Sequence, residues 1–258
     1  MKVYVLTLPQ AEERRRGLRD RFPRWYDGFC FVYGITPSEL SCSEYHRLVV
    51  PQLMREHYLM EPSYVCSALG HKRVWEEFLS SGEDVALVLE DDVLGDDGRL
   101  DLIRSTYPRV LELFGEDLVW HVGVSKNRYI SLRETPLYGV YEVPWIARRY
   151  VIGTWSYLLT RRSASAMAKM QEDCLDIVER WHRVIPRETR FLCSDILAHP
   201  PDNKSYVRSL SAAFSYYRCK ASERVKMVFS LLALLSEGLV CRAFSYVSPL
   251  FGYHKFRV

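Results

Sequence analysis

Glu90, Asp91 and Asp92 stand together where an unbroken apolar run, Val85 to Leu89, comes to its end. Three carboxylates this close repel one another unless a cation neutralises them. Alternate residues of an extended chain face the same way, so Glu90 and Asp92 can share one ion while Asp91 turns to a ribose or a sugar. Manganese or magnesium takes carboxylate oxygens and keeps further positions for phosphate, which suits chemistry on a nucleotide diphosphate. A solvated acidic turn has the same composition, and the surrounding elements have to decide between the two.

Val85 to Leu89 fits a central strand buried on both faces. Before it, Tyr64 to Ser80 carries Ala68, Leu69, Val74, Trp75, Phe78 and Leu79 at helical spacing, and Ser81-Gly82 delivers that helix into the strand. Val3 to Leu8 is a first buried strand. Pro9 can open a helix whose early acids, Glu12 and Glu13, and late bases, Arg15, Arg16, Arg19 and Arg21, suit the helix dipole. Gly28 to Ile35 is a second strand, and Thr36-Pro37-Ser38 opens a helical connection through the forties and fifties. Past the turn Gly95 to Gly98 come a helix, Leu100 to Phe114, and a strand, Leu118 to Val122. Residues 124–149 have no clear period and read as loops and short antiparallel strands over the site. A helix from Ser163 to Asp173 is expected to continue through Cys174 to His182. Strand and helix in repetition predict an α/β domain with a mainly parallel central sheet.

The helix YVCSALGHKRVWEEFLS followed by DVALVLEDDVL resembles glycosyltransferase family 25, the bacterial lipooligosaccharide galactosyl- and glucosyltransferases and their collagen-modifying relatives. There a helix with a G-C-x-L-S-H motif leads through a short turn to a strand ending L-E-D-D. The matching pieces are Ala68-Leu69, His71, Trp75, Phe78-Leu79, Ser81-Gly82-Glu83 and Ala86 to Val93. The opening strand and Glu13-Arg14-Arg15 are similar to the family's V-I-S-L and E-R-R, and Gly153 to Ala164 to its G-T-x-A-Y-L-I-S-R-x-A-A block. The three blocks span most of residues 1–170 in the family's order, and the ordered set is more specific than any member. Cys66, Ser67 and Gly70 depart from the glycine, cysteine and serine of the first motif, and Trp155-Ser156 replaces a small pair. The resemblance implies a GT-A-like nucleotide-sugar-binding fold, a UDP-galactose or UDP-glucose donor, Mn2+ or Mg2+, and a lipid-linked oligosaccharide acceptor.

Such a transferase needs a metal on the diphosphate, contacts for nucleoside and sugar, and, if it inverts, a base for the acceptor proton. Glu90 and Asp92 are the expected metal ligands, with Glu90 and Asp91 also facing the donor. Asp195, an acid inside the apolar FLCSDIL, is similar to a later family aspartate and is the candidate base, its pKa raised by burial; a helix cap by Ser194 or Asp195 explains the residue equally well. His199 is a third metal contact if its segment is helical, although Pro200 argues for a loop. Thr7 and Leu8 end the first strand, where open α/β sheets bind ligands, and are candidates for nucleoside contact. Arg14 and Arg15 are candidates for the nucleotide, whereas Arg16 and Arg19 fit a solvated face. His71 either binds diphosphate or acceptor or is hydrogen-bonded inside a helix interface. Gly153 and Thr154 let backbone approach the sugar, or permit a tight turn.

With 258 residues, 48% of them hydrophobic, the chain can bury one full core, assigned to residues 1–202, with an extension at 203–258. Seven cysteines without a C-x-x-C pair fit free thiols in a reducing cytoplasm. The short apolar start followed by Glu12 to Arg16 reverses the order of a signal peptide, and no stretch approaches the ~20 apolar residues of a membrane span. A cytoplasmic protein is expected. From Asn203 onward nine Lys and Arg face Glu223 and Glu237, a charge of +7 on a body of −4. This extension, which includes MVFSLLALLS, is either a packed helix or an in-plane contact with an anionic membrane surface. No nucleic-acid motif accompanies its charge. The expected reaction is metal-assisted, inverting transfer of a hexose to a lipooligosaccharide core. A nucleotidyltransferase would carry a glycine-rich phosphate loop after its first strand, which Leu8-Pro9-Gln10-Ala11 is not. An inactive glycan-binding scaffold is the remaining rival.

Overall fold

The structure, a computed structural model, describes residues 1–56, 58–123, 131–200 and the strand 253–255. The strands are β1 (Lys2–Thr7), β2 (Phe29–Tyr33), β3 (Val85–Glu90), β4 (Leu118–Gly123), β5 (Ser131–Glu134), β6 (Tyr141–Glu142), β7 (Ser156–Thr160), β8 (Arg190–Leu197) and β9 (Tyr253–Lys255). They form one sheet in the order β2-β1-β3-β7-β4-β8-β6-β5-β9. The helices are α1 (Glu12–Arg21), α2 (Cys42–Glu56), α3 (Pro62–Ser80), α4 (Asp97–Phe114), α5 (Arg161–Asp173) and the short α6 (Trp181–Val184).

The α/β class holds, and the sheet is mixed. It is parallel across β2-β1-β3 and between β4 and β8, while β7 runs antiparallel between β3 and β4, as do the pairings of β6 with β8 and β5 and of β5 with β9. The pairing of Ser131 to Arg133 with Tyr253 to Lys255 makes this piece of the C-terminal extension an edge strand of the sheet. The rest of the extension, with its expected helix or membrane contact, lies outside the described residues. Among the described residues no helix is long and apolar enough to cross a membrane. Cys30, Cys66, Cys174 and Cys193 are free thiols.

Alternation along the strands sorts the core into two layers. Ala86 and Val88 of β3 join Val74, Trp75 and Phe78 of α3 and Ala164 and Met167 of α5. Val85, Leu87 and Leu89 face the other way, with Leu18 of α1 and Leu100, Ile103 and Val110 of α4. Continuing that alternation past Leu89 turns Glu90 toward α3 and Asp91 toward α1.

Two segments differ from expectation. The helix does not run on past Asp173, because the Gln171 amide takes over as backbone partner: Asp176 N–H donates to Gln171 Oε1 at 2.8 Å and Gln171 Nε2 donates to Asp176 O at 3.1 Å. Residues 190–197 form a strand rather than leading into the start of a helix, so neither Ser194 nor Asp195 is a helix cap. Beyond that strand, Ala198 and Leu94 exchange backbone hydrogen bonds of 2.8 and 2.9 Å, tying the exit of β8 to the exit of β3.

Candidate active site

β1 and β3 are parallel neighbours in a register that sets Leu6 beside Glu90, so Thr7 lies next to the acidic block. Thr7 Oγ1 donates to Asp91 Oδ2 at 2.6 Å. From α1, Arg14 Nη1 donates to Asp91 Oδ1 at 2.8 Å and to Asp92 Oδ2 at 3.0 Å. Burial lowers the affinity of the Arg14 guanidinium for its proton, but the three acids outweigh it and hold the group firmly charged. Asp91 therefore braces β1 and α1 against β3. Both of its oxygens are engaged in this bracing, and it is 5% exposed. Arg15 donates to the carbonyls of Leu8 and Pro9 and so closes the turn after β1.

Glu90, Asp92 and His199 each offer a ligand atom within 4.8 Å of the others. His199 reaches this cluster from an extended segment, carried there by the Leu94–Ala198 bridge and not by a helix. Its Nε2 lies 3.7 Å from Asp92 Oδ1. Burial and the neighbouring Glu90 charge push the Asp92 carboxyl up to about 6, against the pull of Arg14 and His199. Burial also works against the Glu90 carboxylate, but His71, Thr154 and His199 outweigh it and hold Glu90 below the usual carboxylate range. Two crowded carboxylates and an imidazole are a donor set that fits Mn2+ or Mg2+, and a divalent charge would relieve the repulsion that lifts Asp92.

These residues line a cavity of about 370 Å³, whose walls also hold Leu8, Ile35, Ser63, Tyr64, Trp155 and Glu179. Of the residues expected from sequence, Thr7, Leu8, Arg14, Glu90, Asp91, Asp92, Gly153 and Thr154 line it. Asp195 does not: it is exposed on β8, and the expected burial is absent. His71 is fully buried behind Glu90 and does not line the cavity, so the helix-interface alternative describes it. Its Nε2 lies 3.5 Å from Glu90 Oε1, and its Nδ1 lies 2.9 Å from Tyr157 Oη. Thr154 Oγ1 donates to the same Glu90 oxygen, and Glu90 N–H donates to Trp155 O at 2.9 Å.

Trp155 is seated on glycine. Gly153 has φ +91°, and a Cβ there would stand 1.5 Å from the indole, while a Cβ at Gly123 would stand 2.2 Å from Trp155 Nε1. The indole tilts against the His199 ring at 5.0 Å and meets His121 edge-on at 5.4 Å. Glu179 and Ser63 were invisible in the sequence; nothing in their neighbours marks them, and only the path of the chain after α5 and the placing of the first turn of α3 bring them to the cavity.

The model of glycosyltransferase family 25, described as an LPS biosynthesis protein, matches residues 1–179. The chain belongs to glycosyltransferase family 25. Over 98 residues it is 33% identical to the lacto-N-neotetraose biosynthesis glycosyltransferase LgtB of Neisseria meningitidis serogroup B, covering 38% of this chain and 35% of that protein. The chain thus spans about a third of the length of that relative. Among solved structures, a mannose-1-phosphate geranyltransferase from Thermus thermophilus is 16% identical, with a TM-score of 0.33 over 78% of this chain and 75% of that one. An apo UDP-glucose pyrophosphorylase is 11% identical, with a TM-score of 0.38 over 78% and 92%. At these scores neither likeness bears on the site or the reaction. Within this family 25 chain, Cys66, Ser67, Gly70 and Trp155, four of the positions that depart from the family pattern, line the cavity, and Ser156 does not. Burial pushes the Cys66 thiol up to about 12, so it meets a ligand as a neutral group.

Proposed function

We propose that this family 25 protein, on a GT-A-like fold, transfers galactose or glucose from a UDP-sugar to the core glycan of a lipooligosaccharide, metal-assisted and with inversion. The observation that carries the proposal is the grouping of Glu90, Asp92 and His199 on the wall of a cavity that Leu8, Ile35, Tyr64 and Trp155 also line. Mn2+ or Mg2+ held by those three residues would supply Lewis-acid stabilisation of the departing diphosphate. Arg14 keeps a positive charge at the same wall, and Asp91 and Thr7 hold the wall in place. Leu8, Ile35 and Tyr64 suit a nucleobase, and Ser63 Oγ, buried without a hydrogen-bond partner among the described residues, suits a hydrogen bond to it. Inversion needs a base at the acceptor. Glu179 is the lining carboxylate outside the acidic block, and it takes that role here in place of the exposed Asp195.

The lipid-linked acceptor is supported by the family's description, and a glycan acceptor by the relative's name. An anionic inner-membrane contact through residues 203–258 belongs to the same proposal and rests on their charge of +7. A panel of UDP-sugars, read by thermal stabilisation and by hydrolysis with and without Mn2+, tests the reading. UDP-galactose or UDP-glucose should stabilise the protein only with metal present. Equal stabilisation in EDTA, or none by any UDP-sugar, would sink it. Glu179→Gln should lower turnover about 100-fold or more with donor affinity kept, the scale of a lost general base. Asp195→Asn should leave turnover nearly unchanged, and the opposite ranking would return the base to Asp195.

A further inference from the structure

We propose that Trp75, Tyr157 and His71 form a one-way buried hydrogen-bond chain that fixes which oxygen of Glu90 is offered to the metal, making the three of them positioning residues. The inference rests on the metal reading of Glu90, Asp92 and His199.

The direction of the chain follows from what each group can donate. An indole N–H donates and cannot accept. Trp75 Nε1 lies 2.8 Å from Tyr157 Oη, so the phenol oxygen is an acceptor there. The phenol hydrogen then goes to the other neighbour, His71 Nδ1, at 2.9 Å. That bond requires a lone pair on Nδ1, which places the proton of a neutral imidazole on Nε2, facing Glu90 Oε1 at 3.5 Å, an electrostatic contact longer than the hydrogen bonds behind it. The opposite tautomer would leave the phenol hydrogen without an acceptor and set a bare nitrogen lone pair against a carboxylate. Both faults would lie in a fully enclosed site, because Trp75, Tyr157 and His71 are each 0% exposed. Burial also raises the Tyr157 hydroxyl well above its ordinary range, so it keeps its hydrogen at every working pH.

His71 and Trp75 are one helical turn apart on α3, which puts both on one face. Tyr157 on β7 pairs with Val88 on β3, two residues before Glu90 and on the same side of the sheet. The arrangement therefore spans α3, β7 and β3. With His71 and Thr154 both directed at Oε1, Oε2 is the Glu90 oxygen with lone pairs to spare for an ion. Partners of this kind behind a ligand orient it and tune its affinity.

Tyr157→Phe keeps the ring and deletes only the relay oxygen. Mn2+ titration followed by electron paramagnetic resonance, with UDP present, should show affinity about 10-fold or more weaker than wild type. Nitrogen-15 NMR of His71 should report an Nε2–H imidazole in the wild type and a mixture of tautomers in the variant. Because Tyr157→Phe leaves the Trp75 N–H unpaired, the double variant Trp75→Phe, Tyr157→Phe removes both ends of that bond. It should regain thermal stability while Mn2+ affinity stays low. Wild-type affinity in both folded variants, or an Nδ1–H imidazole in the wild type, overturns the proposal. A wild-type protein that binds no Mn2+ overturns the metal reading itself, which is a separate outcome.

Discussion

Among neighbouring acids, position on the strand decides the role. Asp92→Asn should abolish metal-dependent UDP binding and leave the melting temperature close to wild type, because neutralising it removes the crowding that pushes its carboxyl up to about 6. Asp91→Asn should do the reverse, lowering stability by about 1.5–3 kcal/mol, the scale of a hydrogen bond to a charged group, because Thr7 and Arg14 each use one carboxylate oxygen and the amide keeps a single, uncharged acceptor between them. Calorimetry and UDP titration on the two variants check both outcomes, and a common phenotype would contradict the division. The acidic block was legible because three adjacent carboxylates at a strand end leave little other use for Glu90 and Asp92. The inward turn of Asp91 was not, since it depends on Thr7 and Arg14, far away in sequence. His71 was legible as a position and misplaced as a contact: spacing put it on the helix, and only Tyr157 at 2.9 Å shows that it faces the sheet and not the ligand.

Elements bring the distant parts of the site together, and the smallest connection among them carries much of that task. The paired hydrogen bonds between Leu94 and Ala198 hold His199 beside the acidic block. Ala198→Pro removes the donor of one of them and should weaken Mn2+ binding about as much as His199→Ala does, with the sheet still folded by circular dichroism. Retention of wild-type Mn2+ affinity would show that His199 is held some other way. Alternating and helical apolar patterns revealed β1, β3, α3 and α4 because those elements bury one face or two. The break after Asp173 escaped this test, since the apolar pattern carries on through Leu175 and Val178 while a Gln171 side chain interrupts the backbone ladder. The strand at residues 190–197 went unassigned for a related reason: Ser194 is buried beneath Trp120, whose indole donates to it at 3.1 Å, and Asp195 faces out, a strand alternation too short to stand apart from a cap.

At the scale of the whole molecule, stability should depend on acid in a defined window. Burial pushes His121 down to about 4, and burial with three neighbouring arginines does the same to His182. Both are neutral in the fold and take up protons near 6.5 once unfolded. The unfolded chain therefore binds more protons between about 6.5 and 4, so stability is complete above that range and declines as the pH falls through it. Urea unfolding at stepped pH should show this slope, and His121→Gln should flatten it; a slope unchanged in that variant would assign the acid sensitivity to other groups. The seat of Trp155 has a consequence for how such a molecule can change. A side chain at position 123 would run into the indole at 2.2 Å, whereas position 153 is confined to glycine by its own backbone as well. Descendants of this chain can therefore acquire a residue at 123 only after position 155 has shrunk and the Ser156 hydroxyl has turned aside. That order of events makes the tryptophan a ratchet: it is simple to keep, and its loss opens a route that a later return to tryptophan would find closed.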